Sequence, residues 1–183
     1  ILGAHDKIGG LVADGLIAPL DLGNKASDFR ANAIKAFTYD SKLYGMPYTV
    51  ENIALVCNAA KVPAQPASWA ELAAAGVQVS LNAGGGDPYH MYSIQTSFGS
   101  KVFKTDKDGN YIPEVAMGEG GHEFATWLQT EGSKVFDTQS TWDSVVAKMK
   151  DGSKACWITG PWAQGAIDLR GSEYKIYSIP SVG

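Results

Sequence analysis

Val77-Gln78-Val79-Ser80-Leu81-Asn82-Ala83-Gly84-Gly85-Gly86-Asp87-Pro88 changes character twice over a short span. Residues 77–81 read as a buried strand, a short apolar run ending at turn residues. Glycines follow, and then Asp87-Pro88 opens a helix: Asp suits the N-cap and Pro the first helical position. Gly99 closes that helix. Strand, loop, helix is the unit of an α/β layer. Working outward, the unit recurs. Downstream, residues 101–113 resemble a hairpin around Asp108-Gly109,. Helices are expected near 119–130 and 141–150, a strand over 155–159, a helix from Gly160-Pro161 to about Arg170, and a strand over 174–180. Upstream, Ser68-Trp69-Ala70-Glu71 is a capping box, with Ser68 and Glu71 each serving the other's backbone N–H,. An extended run from Leu43 reaches Asn58, and Asp40-Ser41-Lys42 is a turn. Ser27 opens a helix with Phe29, Ile34 and Phe37 on one face, and 8–13 is a short helix stopped by Gly15,. Strands alternating with helices predict an α/β domain with a largely parallel sheet. The chain contains no internal repeat.

Its 183 residues carry 15 Lys plus Arg against 19 Asp plus Glu, a formal net charge of −4. That length makes one large domain or two small ones. With 45% apolar and 19% charged residues, the composition is that of a folded globular chain,. Slight acidity removes the basic footprint of a nucleic-acid binder. The apolar runs are far short of the ~20 residues of a membrane-spanning helix. No secretory leader stands at the start, so an export signal is expected to have been removed or to lie outside these residues. Both ends read as interrupted motifs, Ile1-Leu2-Gly3-Ala4-His5-Asp6 as a strand end running into a helix and 174–180 as a strand without a closing helix. The sequence therefore reads as part of something longer. Cys57 and Cys156 sit in apolar runs. They read first as two small buried hydrophobes, with a bridge suited to an exported protein as the alternative.

Most chemical motifs dissolve on inspection. The glycines of 84–86 lack the Gly-Lys-Ser/Thr of a phosphate loop, and Asp87 would repel a phosphate,. Asp106-Lys107-Asp108-Gly109-Asn110 begins like a calcium loop, but Glu114 arrives too early,. His5, His90 and His122 are scattered, so no metal and no cofactor is expected,. No Gly-x-Ser-x-Gly elbow is present. Glu51 and Asp87 would form a glycosidase pair only at the right separation. The same carboxylates serve equally as acceptors for sugar hydroxyls. Tyr89 and Tyr92 follow the glycine-rich loop, and Trp162 follows Gly160-Pro161. Those are the places where helices leave strand ends and ligands bind in α/β sheets. Flat rings there suit the C–H face of a sugar, and core packing suits them equally.

Five stretches in one order carry a resemblance: Ala4-His5-Asp6-Lys7-Ile8-Gly9-Gly10, Gly45-Met46-Pro47-Tyr48-Thr49-Val50-Glu51-Asn52, Pro66-Ala67-Ser68-Trp69-Ala70-Glu71-Leu72, Asp87-Pro88-Tyr89 and Thr159-Gly160-Pro161-Trp162-Ala163. They resemble the maltose-binding family of extracellular solute-binding proteins, the sugar receptors of bacterial ABC importers. The resemblance implies a periplasmic-binding-protein-like (type II) two-lobe α/β fold, present here as a fragment. A partial first lobe would cover 1–47, an outward hinge 48–52, the second lobe 53–175 and a return hinge 176–183. It implies capture of maltose- or maltodextrin-like oligosaccharides between lobes that close by hinge bending, and delivery to a membrane permease, with no catalysis. A glycan hydrolase using Glu51 and Asp87 is the alternative. Carried over position by position, Asp6 and Lys7 would meet sugar hydroxyls, as would Glu51, Asp87 and Tyr89, while Trp162 would stack under a ring. Gly3 stands where the family has a stacking Trp, Lys7 replaces an Arg, Asp87 a Glu and His90 an aromatic. Location would be periplasmic or extracellular, a lipid anchor on the full-length protein being one option. The incomplete first lobe leaves helix 27–39 with an unpaired apolar face, so local disorder or a dimer through that lobe is expected.

Overall fold

Two continuous apolar runs lie side by side at the centre of the second half of the chain. They are β3 (Ala54–Asn58) and β8 (Cys156–Thr159), antiparallel, with Leu55 opposite Ile158, Val56 opposite Trp157 and Cys57 opposite Cys156. The computed structural model describes residues 1–81, 87–107 and 109–182. The chain divides into two units, Ile1–Glu51 and Asn52–Gly183. Among the described residues no helix is long and apolar enough to cross a membrane.

The first unit begins with a 3₁₀ turn at His5–Lys7 that runs into α1 (Ile8–Ala13), followed by a 3₁₀ stretch at Gly23–Asp28 and α2 (Ala31–Ala36). A two-residue hairpin, β1 (Thr38–Tyr39) and β2 (Lys42–Leu43), turns at Asp40 and Ser41, both with positive φ. The helix expected from Ser27 does not form. The Ser27 hydroxyl donates back to the Asn24 carbonyl, Arg30 is extended (φ −61°, ψ 134°), and Phe29 therefore falls outside α2. A serine that bonds to its own local backbone competes with the helix it was expected to cap.

The second unit is built on a five-stranded sheet. In chain order it contains β3, α3 (Trp69–Ala74), β4 (Val79–Ser80), α4 (Pro88–Ser97), β5 (Phe103–Thr105), β6 (Tyr111–Val115), α5 (Gly118–Thr130), β7 (Phe136–Asp137), α6 (Trp142–Lys150), β8 and β9 (Tyr174–Tyr177). The sheet order is β7-β4-β8-β3-β9. β4 is parallel to both β7 and β8, whereas β3 is antiparallel to both β8 and β9. The sheet is mixed, with a single reversed strand near its middle, and not largely parallel in its pairings. Strand–helix alternation locates strands but carries no record of direction. The expected strand over 77–81 is regular only at Val79–Ser80, although Val77, Val79 and Leu81 are all buried.

Period-two alternation sorts the sheet's side chains onto two faces. Leu55, Cys57, Cys156 and Ile158 pack with Trp69 and Leu72 of α3, Met91 and Ile94 of α4, and Phe124, Trp127 and Leu128 of α5. Val56 and Trp157 face the other way, against Val145 and Met149 of α6 and against Ala163 and Ile167. Trp142 meets Trp157 edge-on, with centroids 5.0 Å apart. Cys57 and Cys156 are disulfide-bonded across the β3–β8 ladder, fully buried, with Cα atoms 4.1 Å apart. The bridge is thus one of the two readings the sequence left open.

Local signals fared unevenly. Glu71 N–H donates to Ser68 Oγ at 3.1 Å, but the Glu71 carboxylate accepts from Ala67 N–H at 2.7 Å, one residue earlier than a capping box requires. Thr141 and Ser144 form the full reciprocal box at α6. β5 and β6 form the expected hairpin, whose Asp108 lies outside the described residues. Gly160-Pro161 starts only a 3₁₀ stretch, Pro161–Gly165, not a helix to Arg170. There the Asp168 carboxylate accepts from the Gln164 amide and from Arg170 N–H, and the chain turns instead.

Candidate functional site

β4 and β8 are adjacent and parallel, so the segments leaving their carboxyl ends rise from the same edge of the sheet,. One leads through 82–86, the glycine-rich loop, which lies outside the described residues, to Asp87 at the N-cap of α4. The other is Gly160-Pro161-Trp162. Three rings meet there. Tyr89 and Trp162 lie 6.3 Å apart between centroids, and the His90 imidazole stands edge-on to both, 5.1 Å from Tyr89 and 6.0 Å from Trp162. Tyr89 is 66% exposed and Trp162 39%, whereas Asp87 and His90 are each 5% exposed. Tyr92 is half-buried on the next residues of α4. The arrangement is a polar pair under an aromatic surface.

Local chemistry explains each position. Asp87 Oδ1 accepts the His90 backbone N–H at 3.2 Å, which caps α4, and Pro88 gives up no donor at the first helical position,. Asp87 Oδ2 lies 2.7 Å from His90 Nδ1, in contact but without the alignment of a directed hydrogen bond. His90 Nε2 is buried and has no hydrogen-bond partner among the described residues. Trp162 is seated by Gly160. A Cβ there would lie 2.3 Å from both Cη2 and Cζ3 of the indole, so only glycine admits the ring in this place.

The remaining predicted residues lie in the first unit. Asp6 and Lys7 flank the start of α1 and pair with each other, Lys7 Nζ to Asp6 Oδ2 at 3.1 Å, with side chains 56% and 74% exposed. Such a pair is weakly held and can exchange its partner for a ligand hydroxyl. Glu51 is exposed and closes the first unit. Asp87, Tyr89 and Trp162 are thus brought together, while Asp6 and Lys7 form a second group and Glu51 stands by itself in sequence. Glu51 and Asp87 belong to different units. No group of three or more His, Cys, Asp or Glu side chains suited to a metal occurs among the described residues.

Sequence reading passed over His90 as a ring substitution and treated Gly160 only as part of a helix start. It also missed a charged cluster on the far strand. Asp137 in β7 accepts from Lys148 Nζ at 3.0 Å and from Ser140 Oγ at 2.8 Å, with Lys154 Nζ at 3.3 Å. Burial on its own would raise the Asp137 pKa. The hydrogen bonds from Lys148, Ser140 and the Gln139 N–H, with the charge of Lys154, outweigh it and hold the carboxyl well below its ordinary value.

The whole chain, residues 1–183, matches the family model described as bacterial extracellular solute-binding protein. It is 25% identical over 200 aligned positions to a maltodextrin-binding protein of Bacillus subtilis (strain 168), across 100% of this chain and 47% of that protein. It is 25% identical to a galactooligosaccharide-binding protein of the same organism, across 97% of this chain and 46% of that one. Among solved structures, a Thermus thermophilus maltotriose-binding protein bound with maltotriose superposes with a TM-score of 0.80 at 26% identity. That match covers 97% of this chain and 51% of the other. The chain spans about half the length of the curated relatives it matches.

Proposed function

We propose, from the premise that this chain belongs to the bacterial extracellular solute-binding protein family, that its parent protein captures a maltodextrin-like oligosaccharide and delivers it to the permease of an ABC importer. The fold is the periplasmic-binding-protein-like fold shared with the maltotriose-binding protein. The observation that carries the reading is the exposed pair of rings, Tyr89 and Trp162, standing on one sheet edge above a buried carboxylate. Apolar ring faces beside polar groups match a sugar, whose C–H faces and hydroxyls alternate. In this reading Trp162 stacks on a pyranose, Tyr89 borders it, and Asp87 helps to shape the polar floor. Asp6, Lys7 and Glu51 supply hydroxyl partners from the first unit. Residues 48–52 and 176–183 serve as the two hinge crossings, a role supported for the first of them by the division of the chain after Glu51.

Capture without cleavage fits the relatives, whose names describe binding and not hydrolysis. The parent works outside the cytoplasmic membrane, where a lipid anchor would keep it near its permease. Calorimetry on the full-length protein with maltotriose, a galactooligosaccharide and cellobiose tests the ligand. Heat is expected with maltotriose, and no heat with any of the three removes the oligosaccharide reading. Chromatography after prolonged incubation with maltotriose is expected to return it intact. Shorter products would turn the reading toward a hydrolase. Residues 1–183 prepared alone are expected either to pair as dimers through residues 1–47 or to leave that segment locally disordered, since Leu16, Leu20 and Met46 are exposed. Light scattering that finds only monomer, together with NMR that finds residues 1–47 well ordered, removes that expectation.

A further inference from the structure

We propose that His90 is a ligand-contacting, specificity-determining residue: its Nε2 accepts a hydrogen bond from a hydroxyl of the bound glycan, and Asp87 holds the ring for that task. The inference rests on the oligosaccharide reading above and adds to it a residue that the resemblance treats only as a replaced aromatic. Three observations carry it. First, His90 is 5% exposed, and its Nε2 has no hydrogen-bond partner among the described residues. A buried polar atom without a partner is costly, and such atoms in folded proteins ordinarily have one supplied from elsewhere. Second, Asp87 Oδ2 lies 2.7 Å from Nδ1; a carboxylate so close repels a lone pair, which favours the neutral ring with its proton on Nδ1 and its acceptor at Nε2. A neutral sugar, rich in O–H donors, is the complementary ligand. Third, the imidazole's ring neighbours are Tyr89 and Trp162, the two exposed aromatics of the site.

The test uses the full-length protein and maltotriose. His90→Phe keeps a planar ring and removes both nitrogens, while His90→Gln restores a polar atom at about the reach of Nε2. His90→Phe is expected to weaken binding roughly 5–10-fold, the span of one neutral hydrogen bond. Its melting temperature should be unchanged or higher, because an unpartnered buried atom has gone, and His90→Gln should recover most of the affinity. Long-range proton–nitrogen NMR follows the ring directly. The His90 Nε2 signal, identified by its loss in His90→Phe, should shift on saturation with maltotriose. If wild type binds maltotriose and His90→Phe binds it equally well with the Nε2 signal unmoved, this inference is overturned while the oligosaccharide reading stands. If wild type binds none of the sugars, that reading fails and this one with it.

Discussion

At the scale of single residues, the site divides its labour between a stacking ring and hydrogen-bonding carboxylates, and magnitudes suggest which dominates. Removing about 80–120 Å² of apolar contact from water at ~25 cal/mol per Å² is worth roughly 2–3 kcal/mol. A hydrogen bond that replaces one to water nets about 0.5–1.5 kcal/mol, or up to roughly 3 when the acceptor is charged. Trp162→Ala should therefore weaken maltotriose binding more than Asp6→Asn or Glu51→Gln, all measured in the full-length protein at one pH. A larger loss from either carboxylate change would reverse the ranking. Gly160 offers a finer probe. Its φ of −119° suits alanine, yet the added Cβ would lie 2.3 Å from the indole. Gly160→Ala should leave the melting temperature nearly unchanged and weaken binding by unseating Trp162. In a Trp162→Ala background it should do almost nothing, and additive losses in that double-mutant cycle would show that Gly160 acts elsewhere.

Between elements, the Asp137 cluster ties β7 to α6. Lys148 lies in the last turn of α6, Lys154 lies just before β8, and Ser140 precedes the Thr141 cap. A carboxyl whose folded pKa is depressed contributes stability above its unfolded pKa of about 3.9, and loses it as pH falls toward the folded value. Wild type should thus exceed Asp137→Asn in stability by a constant margin, about 1–3 kcal/mol, from neutral pH down to about pH 5. Below that, the margin should shrink as acid is added, because Asp137 binds protons more readily in the unfolded chain. Urea unfolding of both proteins across pH reads the gap directly, and a margin that grows toward acid would contradict the cluster's role. Element-level reading of sequence succeeded where a signal was local and unopposed, as with Asp87-Pro88 and with Gly99, which ends α4 at φ +72°. It failed at Ser27 and at 166–170, where short polar side chains turned the backbone aside.

At the scale of the molecule, the Cys57–Cys156 bridge joins the two central strands of the second unit and closes a loop with a sequence separation of 99. Cross-linking a loop of that size removes unfolded-state freedom worth about 3–5 kcal/mol. Replacing both cysteines by alanine should cost about that much in urea unfolding, on top of a small packing loss at two fully buried positions,. A change below about 1 kcal/mol would mean that the unfolded chain is already compact there. By itself, the sequence determined what depends on neighbours along the chain. That includes the α/β class, the order of most helices and strands, the caps at Ser68 and Asp87, and the family, through motifs quoted in order. The tertiary structure alone decided what depends on residues far apart in the chain. Among these are the reversed direction of β3, the pairing of Cys57 with Cys156, the cluster around Asp137, and the three-ring contact that brings Tyr89 and His90 to Trp162. The physical reason is one of range. Backbone propensity and capping act within a turn or two, whereas strand direction, disulfide partners and the meeting of His90 with Trp162 arise only when distant segments are packed together.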